Sequence, residues 1–318
     1  MKFYGGLDIG GTKCAAVIGC VSEDGTIAVL EKEKFSTQGS PYEMLEQLCD
    51  ALLRLKGDKP LACVGVSCGG PLSSEKGLIL SPPNLPGWDR IPVCQIVEQK
   101  LGVTCRLQND ADACALAEWK FGAGRGTNNM VFLTCGTGFG AGLILGGRLY
   151  TGACDMAGEI GHVRASENGP VGYGKAGSYE GWCSGGGIAQ VAKSLALEQL
   201  QMGKTTAFCA CYEELQTISA KTVADAANQG DLLAMQVYKT CGTYLGRSLA
   251  MLIDLLNPEA IVLGSIYQRC ENLLADGVKA VIEKECLPGA AARCKILPAV
   301  LGDSIGDIAA LAVAAQEV

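Results

Sequence analysis

The sequence predicts an α/β protein made of two related lobes with a cleft between them. Short strand-like runs of small and β-branched residues alternate with segments of helical period. Each half of the chain begins with a hairpin rich in glycine and threonine, and 318 residues suffice for two domains of ordinary size. We predict an N-terminal lobe of residues 1–109, completed by a returning helix at about 303–318, and a C-terminal lobe of residues 110–302.

The first half alternates strands and helices. Its predicted strands are residues 2–9, 14–21, 26–34, 61–67 and 103–107, of which the first three form a β-meander through the turn signal Asp24-Gly25. Its predicted helices are residues 41–56, 92–101 and 109–120, the last capped by Asn109. The passage 69–88 is rich in glycine and proline, and it predicts a long functional loop.

The second half is more helical. Its predicted strands are residues 130–135, 140–145, 148–150, 259–263 and a short one near 295–297. Residues 151–187 are predicted to be irregular and polar. A long helix from about Asp231 to Leu256 ends before Pro258, and the chain closes with an alanine-rich helix.

Composition and charge exclude several classes of protein. Hydrophobic residues make up 48% and charged residues 19%, so the chain is not disordered, and a net charge of −7 argues against a nucleic-acid partner. The longest stretch without a charged side chain, residues 126–147, holds seven glycines and predicts a turn-rich sheet, so no membrane partner is expected. Seventeen scattered cysteines without an export signal indicate a reducing cytoplasm.

A glycine-rich turn follows the first strand, in the segment Leu7-Asp8-Ile9-Gly10-Gly11-Thr12-Lys13. Glycines there let the backbone approach a phosphate, while the Thr12 hydroxyl and the Lys13 charge can bind it. Asp8, at the strand end, could hold magnesium through water. The segment is not a Walker loop, and a plain tight hairpin remains an equal alternative.

A second glycine-rich segment, Cys135 to Gly142, formally matches the dinucleotide fingerprint through Gly136, Gly138 and Ala141, with Asp155 near the offset of the acidic residue. An NAD-dependent dehydrogenase is therefore a rival hypothesis. The fingerprint must open a helix, however, and the alternating glycines here predict a hairpin. A second phosphate-binding hairpin is the preferred interpretation.

Two further segments carry candidate chemistry. Asn109 and Asp110 lie at a predicted helix start, where they could simply cap the helix or could hold a hydroxyl-rich ligand, with Asp110 accepting the proton of the attacking hydroxyl. The helix N-terminus favours the ionised carboxylate, which makes it a weak base. The chain's one histidine, His162, follows Glu159 in a glycine-rich loop, with Glu180 downstream. A purely structural histidine is the alternative.

Six segments together resemble the ROK family of sugar kinases, in the hexokinase/actin-like superfamily, over nearly the whole chain. They are 8–13, 84–88 (Asn-Leu-Pro-Gly-Trp), 109–112, 136–140, 158–162 (Gly-Glu-Ile-Gly-His) and 257–264. The resemblance implies two ribonuclease H-like lobes that close on a sugar and on ATP with Mg²⁺, and a glucokinase-like enzyme. It also implies a homo-oligomer.

The resemblance also implies residue roles. Asp110 is the implied base toward the hydroxyl on carbon six of the sugar. The implied sugar-binding residues are Gly70, Asn84, Asn109, Glu159, His162 and Glu180. The implied phosphate- and nucleotide-binding residues are Gly10, Gly11, Thr12, Lys13, Thr137, Gly138, Gly140 and Gly264.

The sequence departs from the family at the zinc-binding motif Cys-x-Cys-Gly-x-x-Gly-Cys. Val171, Tyr173 and Ser178 replace the three cysteines, and His162 alone cannot hold a structural zinc. We therefore predict that zinc is absent and that packing of Tyr173 and Trp182 orders the loop 163–179.

A second departure is Ser265-Ile266, where the family more often has glycines beside the adenine. This replacement is expected to alter the fit of the nucleotide. The leading alternative to a kinase is a non-catalytic sugar-binding regulator of the same family. Such regulators carry an N-terminal helix-turn-helix, for which the sequence before Asp8 offers no room. The substrate stays open among glucose, other hexoses and N-acetylhexosamines.

Overall fold

The computed structural model describes residues 1–316 and contains, within that range, fourteen strands and ten α-helices. The strands are β1 (Lys2–Ile9), β2 (Lys13–Val21), β3 (Ile27–Ser36), β4 (Leu61–Cys68), β5 (Leu72–Ser73), β6 (Leu78–Ile79), β7 (Cys105–Asn109), β8 (Met130–Cys135), β9 (Phe139–Leu145), β10 (Arg148–Tyr150), β11 (Val171–Gly172), β12 (Lys175–Ala176), β13 (Ala260–Leu263) and β14 (Lys295–Pro298).

The helices are α1 (Pro41–Lys56), α2 (Val93–Leu101), α3 (Asp110–Phe121), α4 (Tyr179–Cys183), α5 (Gly185–Gln201), α6 (Ala220–Asn228), α7 (Leu232–Leu256), α8 (Ile266–Glu285), α9 (Pro288–Ala291) and α10 (Ile305–Ala314). Most predicted elements are confirmed, several with identical bounds. None of the described helices combines the length and apolar character needed to cross a bilayer.

The first sheet has the order β3-β2-β1-β4-β7. The meander β1-β2-β3 is antiparallel, as predicted, and β4 and β7 run parallel to β1. Helices α1 and α2 cover one face with apolar side chains such as Leu45 and Leu48. Helix α10 covers the other face at very short range, because a Cβ at Gly65 of β4 would lie 2.1 Å from the Ala310 carbonyl oxygen.

The second sheet has the order β10-β9-β8-β13-β14, and β8, β13 and β14 are parallel. Strands β9 and β10 form the predicted antiparallel hairpin through Gly146 and Gly147, both of which have positive φ. The run after Gly136 is thus a turn and a strand and does not open a helix. This removes the structural basis of the dinucleotide fingerprint.

The chain divides into two compact units. The first consists of residues 1–128, 142–157 and the segment from Val300 onward, and the second of residues 129–141 and 158–299. The predicted lobe boundary at 109/110 differs, since α3 belongs to the first unit. The reason is local packing: the fully buried Glu118 of α3 accepts hydrogen bonds from the amides of Val300 and Leu301, at 3.0 Å each.

Two predicted irregular passages contain regular structure. The passage 69–88 includes the small hairpin β5–β6, and residues 151–187 include α4 and the first turn of α5. The strands β5 and β6 and the helix α4 were missed because they are too short to show a period. The seventeen cysteines, all within residues 1–316, are free thiols.

Candidate active site

In the first unit, three parallel strands end side by side. Ile9 of β1 pairs with Cys68 of β4, and Cys68 pairs with Asn109 of β7. The residues that follow these positions are Gly10, Gly69 and Asp110. Ligands of α/β sheets bind at the carboxyl ends of parallel strands, so this edge is where a site is expected.

The turn after β1 is exposed to solvent. The Gly10 amide donates to the Lys13 carbonyl at 3.1 Å, and Gly11, Thr12 and Lys13 are exposed. A Cβ at Gly11 would lie 2.2 Å from the Asn84 carbonyl oxygen, so a side chain there would clash. The backbone of the loop 84–88, which holds the predicted sugar-binding Asn84, therefore lies directly against the predicted phosphate-binding turn of residues 10–13.

Asp8 lies among other carboxylates at the end of β1. Burial, and then the charges of Asp307 and Asp110, raise its pKa from 3.8 to about 6, while Lys32 and Lys34 oppose this. Lys32 also forms an ion pair with Asp307 at the start of α10. A Cβ at Gly306 would lie 3.0 Å from Asp8 Oδ2, so glycine leaves that carboxylate uncrowded.

Asn109 and Asp110 form the start of α3, as predicted. The Ala111 amide donates to Asn109 Oδ1 at 2.9 Å and to Asp110 Oδ1 at 2.8 Å, so the cap is shared. Asp110 retains solvent exposure, yet the protein atoms packed around it desolvate the carboxylate and raise its pKa above the usual 3.8. Desolvation thus outweighs the hydrogen bonds from the helix start and makes Asp110 a stronger base than the sequence suggested.

Buried apolar side chains anchor the loop 84–88. Leu85 and Trp88 are buried, and the Ser81 amide donates to the Trp88 carbonyl at 2.9 Å. Asn84 stays exposed. Gly70 lies beside Asn109, since a Cβ at Gly70 would be 3.1 Å from Asn109 Nδ2.

In the second unit, backbone hydrogen bonds also hold the turn after β8. The Gly136 amide donates to the Gly138 carbonyl at 3.0 Å, and the Gly185 amide, at the start of α5, donates to the Gly136 carbonyl at 2.8 Å. Thr137 is exposed at the tip, and Gly140 follows within β9. Gly264 follows β13 and donates to the Leu133 carbonyl at 2.9 Å, so it lies beside the end of β8.

Glu159, His162 and Glu180 lie around the start of β9. A Cβ at Gly161 would be 1.9 Å from the Phe139 carbonyl oxygen, so the loop packs tightly on the strand. Glu180 Oε2 accepts from the Phe139 amide at 3.2 Å. Glu159 and His162 are exposed at the surface of this unit. The three residues are thus held near one strand end, as a joint role requires.

The loop 163–179 is ordered by side chains other than the family's cysteines. Trp182 stacks on Tyr244, with ring centroids 4.1 Å apart, and its Nε1–H donates to Ser166 Oγ at 2.9 Å. The buried Ser178 caps α4 by accepting from the Gly181 amide at 3.1 Å. Tyr173 is 71% exposed and contacts His162 edge-on. Trp182 therefore has the expected packing role and Tyr173 does not.

Three functional-site neighbours were missed by sequence reasoning. Thr37, just after β3, bonds the turn after β1, and Asp307 lies beside Asp8. Asp155, the acidic residue of the rejected fingerprint, instead bonds the Ser74 amide at 2.9 Å. Only the Thr37 contact was accessible from sequence, by extending the predicted meander to pair Lys13 with Ser36.

Comparisons with known proteins show which family the chain belongs to. The ROK family profile matches residues 4–317. A Streptomyces coelicolor glucokinase is 30% identical over 315 residues, 96% of this chain and 95% of the relative. An Escherichia coli N-acetylmannosamine kinase is 33% identical over 272 residues, 85% and 84% of the two chains.

A solved structure is also similar. The ROK family glucokinase from Streptomyces griseus, in complex with glucose and AMPPNP, has a TM-score of 0.77 and 28% identity, covering 99% of this chain and 100% of that one. The fold and these similarities define the class of sugar kinases with the actin-like ATPase fold. The chain belongs to the ROK family, as an ATP-dependent sugar kinase.

Proposed function

We propose that the protein transfers the γ-phosphate of ATP to the hydroxyl on carbon six of a hexose or N-acetylhexosamine, with a glucokinase-like activity foremost. The observation that carries this proposal is the position of Asp110. It follows the last of three aligned parallel strands, and the neighbouring protein atoms desolvate its carboxylate, with no cationic side chain paired to it within residues 1–316. A carboxylate in that state suits proton removal from a sugar hydroxyl.

The remaining roles follow the strand-end loops. Gly70, Asn84, Asn109, Glu159, His162 and Glu180 bind the sugar in this proposal. The turn of residues 10–13 and the turn of Thr137, Gly138 and Gly140 bind phosphates, with Gly264 beside the nucleotide. Phosphoryl transfer depends on such positioning and charge stabilisation.

Asp8 is the proposed magnesium residue, acting through water. Carboxylate oxygens suit this hard cation, and the neighbouring Asp110 and Asp307 add the negative charge that a divalent ion would offset. When bound, Mg²⁺ would neutralise charge on the transferred phosphate. Zinc does not fit: Val171 has no ligand atom, the Tyr173 phenol is not among the usual zinc ligands, and Ser178 Oγ is buried as a helix cap. No cluster of three metal-ligating side chains occurs among residues 1–316.

An ADP-release screen over hexoses and N-acetylhexosamines tests the activity, with Asp110→Asn as the decisive variant. We expect kcat to fall by about 10²–10⁴-fold while the sugar dissociation constant stays nearly unchanged. The fold should survive, because Asn109 still caps α3. In the wild type, kcat/KM should fall on the acid side as Asp110 becomes protonated, at a pH above its ordinary pKa of 3.8.

Asp58→Asn, in the exposed turn after α1, is the matched control and should leave turnover unchanged. Normal turnover in the Asp110→Asn variant would remove Asp110 from this role. Sugar binding without ADP release in the wild type would instead favour the sugar-binding regulator.

A further inference from the structure

In the turn of residues 10–13, three of the four carbonyl groups, those of Gly10, Thr12 and Lys13, accept hydrogen bonds from the protein. The Lys13 carbonyl accepts from the Gly10 amide at 3.1 Å. The Thr12 carbonyl accepts from the Thr37 amide at 3.0 Å, and the Gly10 carbonyl accepts from Thr37 Oγ1 at 2.6 Å. One residue, Thr37, therefore binds two of the three carbonyls, through its backbone and through its side chain.

Two amides of the same turn are not used by the protein. In the chain from residue 1 to residue 316, the Gly11 and Thr12 amides have no hydrogen-bond acceptor, and both residues are exposed. A turn that offers amides outward and withdraws its carbonyls forms an anion-binding concavity. A carbonyl rotated outward would bring its negative end toward the same anion and repel it.

Thr37 is placed for this task by the meander. Lys13 of β2 pairs with Ser36, the last residue of β3, so Thr37 is the first residue beyond the sheet and lies against the turn. The hydroxyl also contacts Cys14 Sγ at 3.3 Å. Cys14 Sγ itself reaches the Gly10 carbonyl at 3.7 Å, a weak bond that does not replace the hydroxyl.

We infer that Thr37 is a positioning residue for phosphate binding: its hydroxyl and amide hold the Gly10 and Thr12 carbonyls away from the nucleotide and so keep the Gly11 and Thr12 amides directed at it. This inference rests on the proposed phosphate-binding role of the turn. Thr37 acts through the turn and touches no ligand itself.

Thr37→Val tests the hydroxyl, because valine keeps the shape and the backbone amide. We expect the KM for ATP with Mg²⁺, and the dissociation constant of a non-hydrolysable ATP analogue measured by calorimetry, to rise about five- to tenfold, as for one lost hydrogen bond. The sugar KM should stay within twofold. Thr37→Ser restores the hydroxyl and should recover nucleotide binding.

Thr240→Val is the matched control, since Thr240 Oγ1 donates to the Gln236 carbonyl within α7, outside both turns. Wild-type nucleotide affinity in Thr37→Val, an equal rise in the sugar KM, or failure of Thr37→Ser to recover would each overturn the inference. If the wild type binds the analogue without phosphorylating any sugar, the proposed function fails, whereas the loss of analogue affinity in Thr37→Val would still support this role for Thr37.

Discussion

At the scale of single residues, the folded protein holds Asp8 and Ser265 in unfavourable states, one as a buried carboxylate and the other with a positive φ. Asp8 is a carboxylate whose pKa is raised to about 6, chiefly by burial. Ser265 has a φ of +56°, a backbone conformation that favours glycine. Both states carry a free-energy cost in the folded protein, and each can be removed by one substitution.

Asp8→Asn should stabilise the metal-free protein at neutral pH by about 1–3 kcal/mol. Between pH 3.8 and about 6 the folded state holds the Asp8 proton more tightly than the unfolded state. Wild-type stability therefore falls as the pH rises through this window, and the variant should lose that dependence. Urea unfolding in EDTA across this pH range measures the difference.

Asp24→Asn is the contrasting control. Hydrogen bonds from Ser22 and Thr26 lower the pKa of Asp24, so this carboxylate contributes stability at neutral pH that is lost on acidification. The variant should show no gain at neutral pH. Equal stability of wild type and Asp8→Asn throughout the window would contradict the raised pKa of Asp8.

Ser265→Gly should stabilise the protein by about 1 kcal/mol, because it relieves the positive φ. The serine side chain makes no capping hydrogen bond to α8, so nothing is lost there. Ser265→Ala keeps the Cβ and should show no gain. Thermal unfolding of the two variants checks this, and equal effects would mean that the backbone is not strained. The positive φ is the physical reason why glycine would suit this position.

At the scale of elements, the loop 163–179 depends on one aromatic stack. Trp182 packs between Tyr244 and the loop, and a Cβ at Gly169 would lie 2.4 Å from the indole ring. Trp182 and Glu180, a proposed sugar-binding residue, both lie on the short helix α4. Disturbing the stack should therefore affect both loop order and sugar affinity.

Trp182→Ala should lower the free energy of unfolding by about 2–4 kcal/mol and open the loop to proteases. Tyr173→Ala is the matched control, and its effect should stay below about 0.5 kcal/mol because Tyr173 is exposed. Urea unfolding and limited proteolysis measure the two effects. Similar losses in both variants would show that the exposed tyrosine also orders the loop.

At the scale of the whole molecule, we expect stability without zinc. The purified protein should contain well below one equivalent of zinc, and EDTA should leave its melting temperature unchanged, since His162 is the one usual zinc ligand left in the 162–178 motif and a structural site needs four. Metal analysis and thermal unfolding check this. A triple variant, Val171→Cys, Tyr173→Cys and Ser178→Cys, is the positive control and should bind zinc together with His162. Stoichiometric zinc in the wild type, lost together with activity, would overturn the expectation.

The sequence predicted the fold well because the long elements have strong periods and clear caps. Helix α1 has the predicted bounds and is closed by the capping box of Ser40 and Glu43. Strand β8 and the β9–β10 hairpin also agree. The two-residue strands and the five-residue helix α4 were missed, because such short elements are stabilised by tertiary contacts and have no local pattern.

The candidate site was predicted in part. The turns of residues 10–13 and 136–140 and the helix start at Asp110 were found, because glycine, threonine and capping residues leave a local pattern. Thr37, Asp307 and the Asp155–Ser74 contact were missed, since each joins segments distant in the sequence. The roles of the site residues stay predictions.

Local residue chemistry by itself determined the α/β class and the two glycine turns, because each depends on near neighbours in the chain. Only the tertiary structure decided the direction in which the pKa values of Asp8 and Asp110 shift. It also decided which aromatic residue supports the 163–179 loop and to which of the two units α3 belongs. Those properties depend on desolvation and on contacts between remote segments, which no local pattern records.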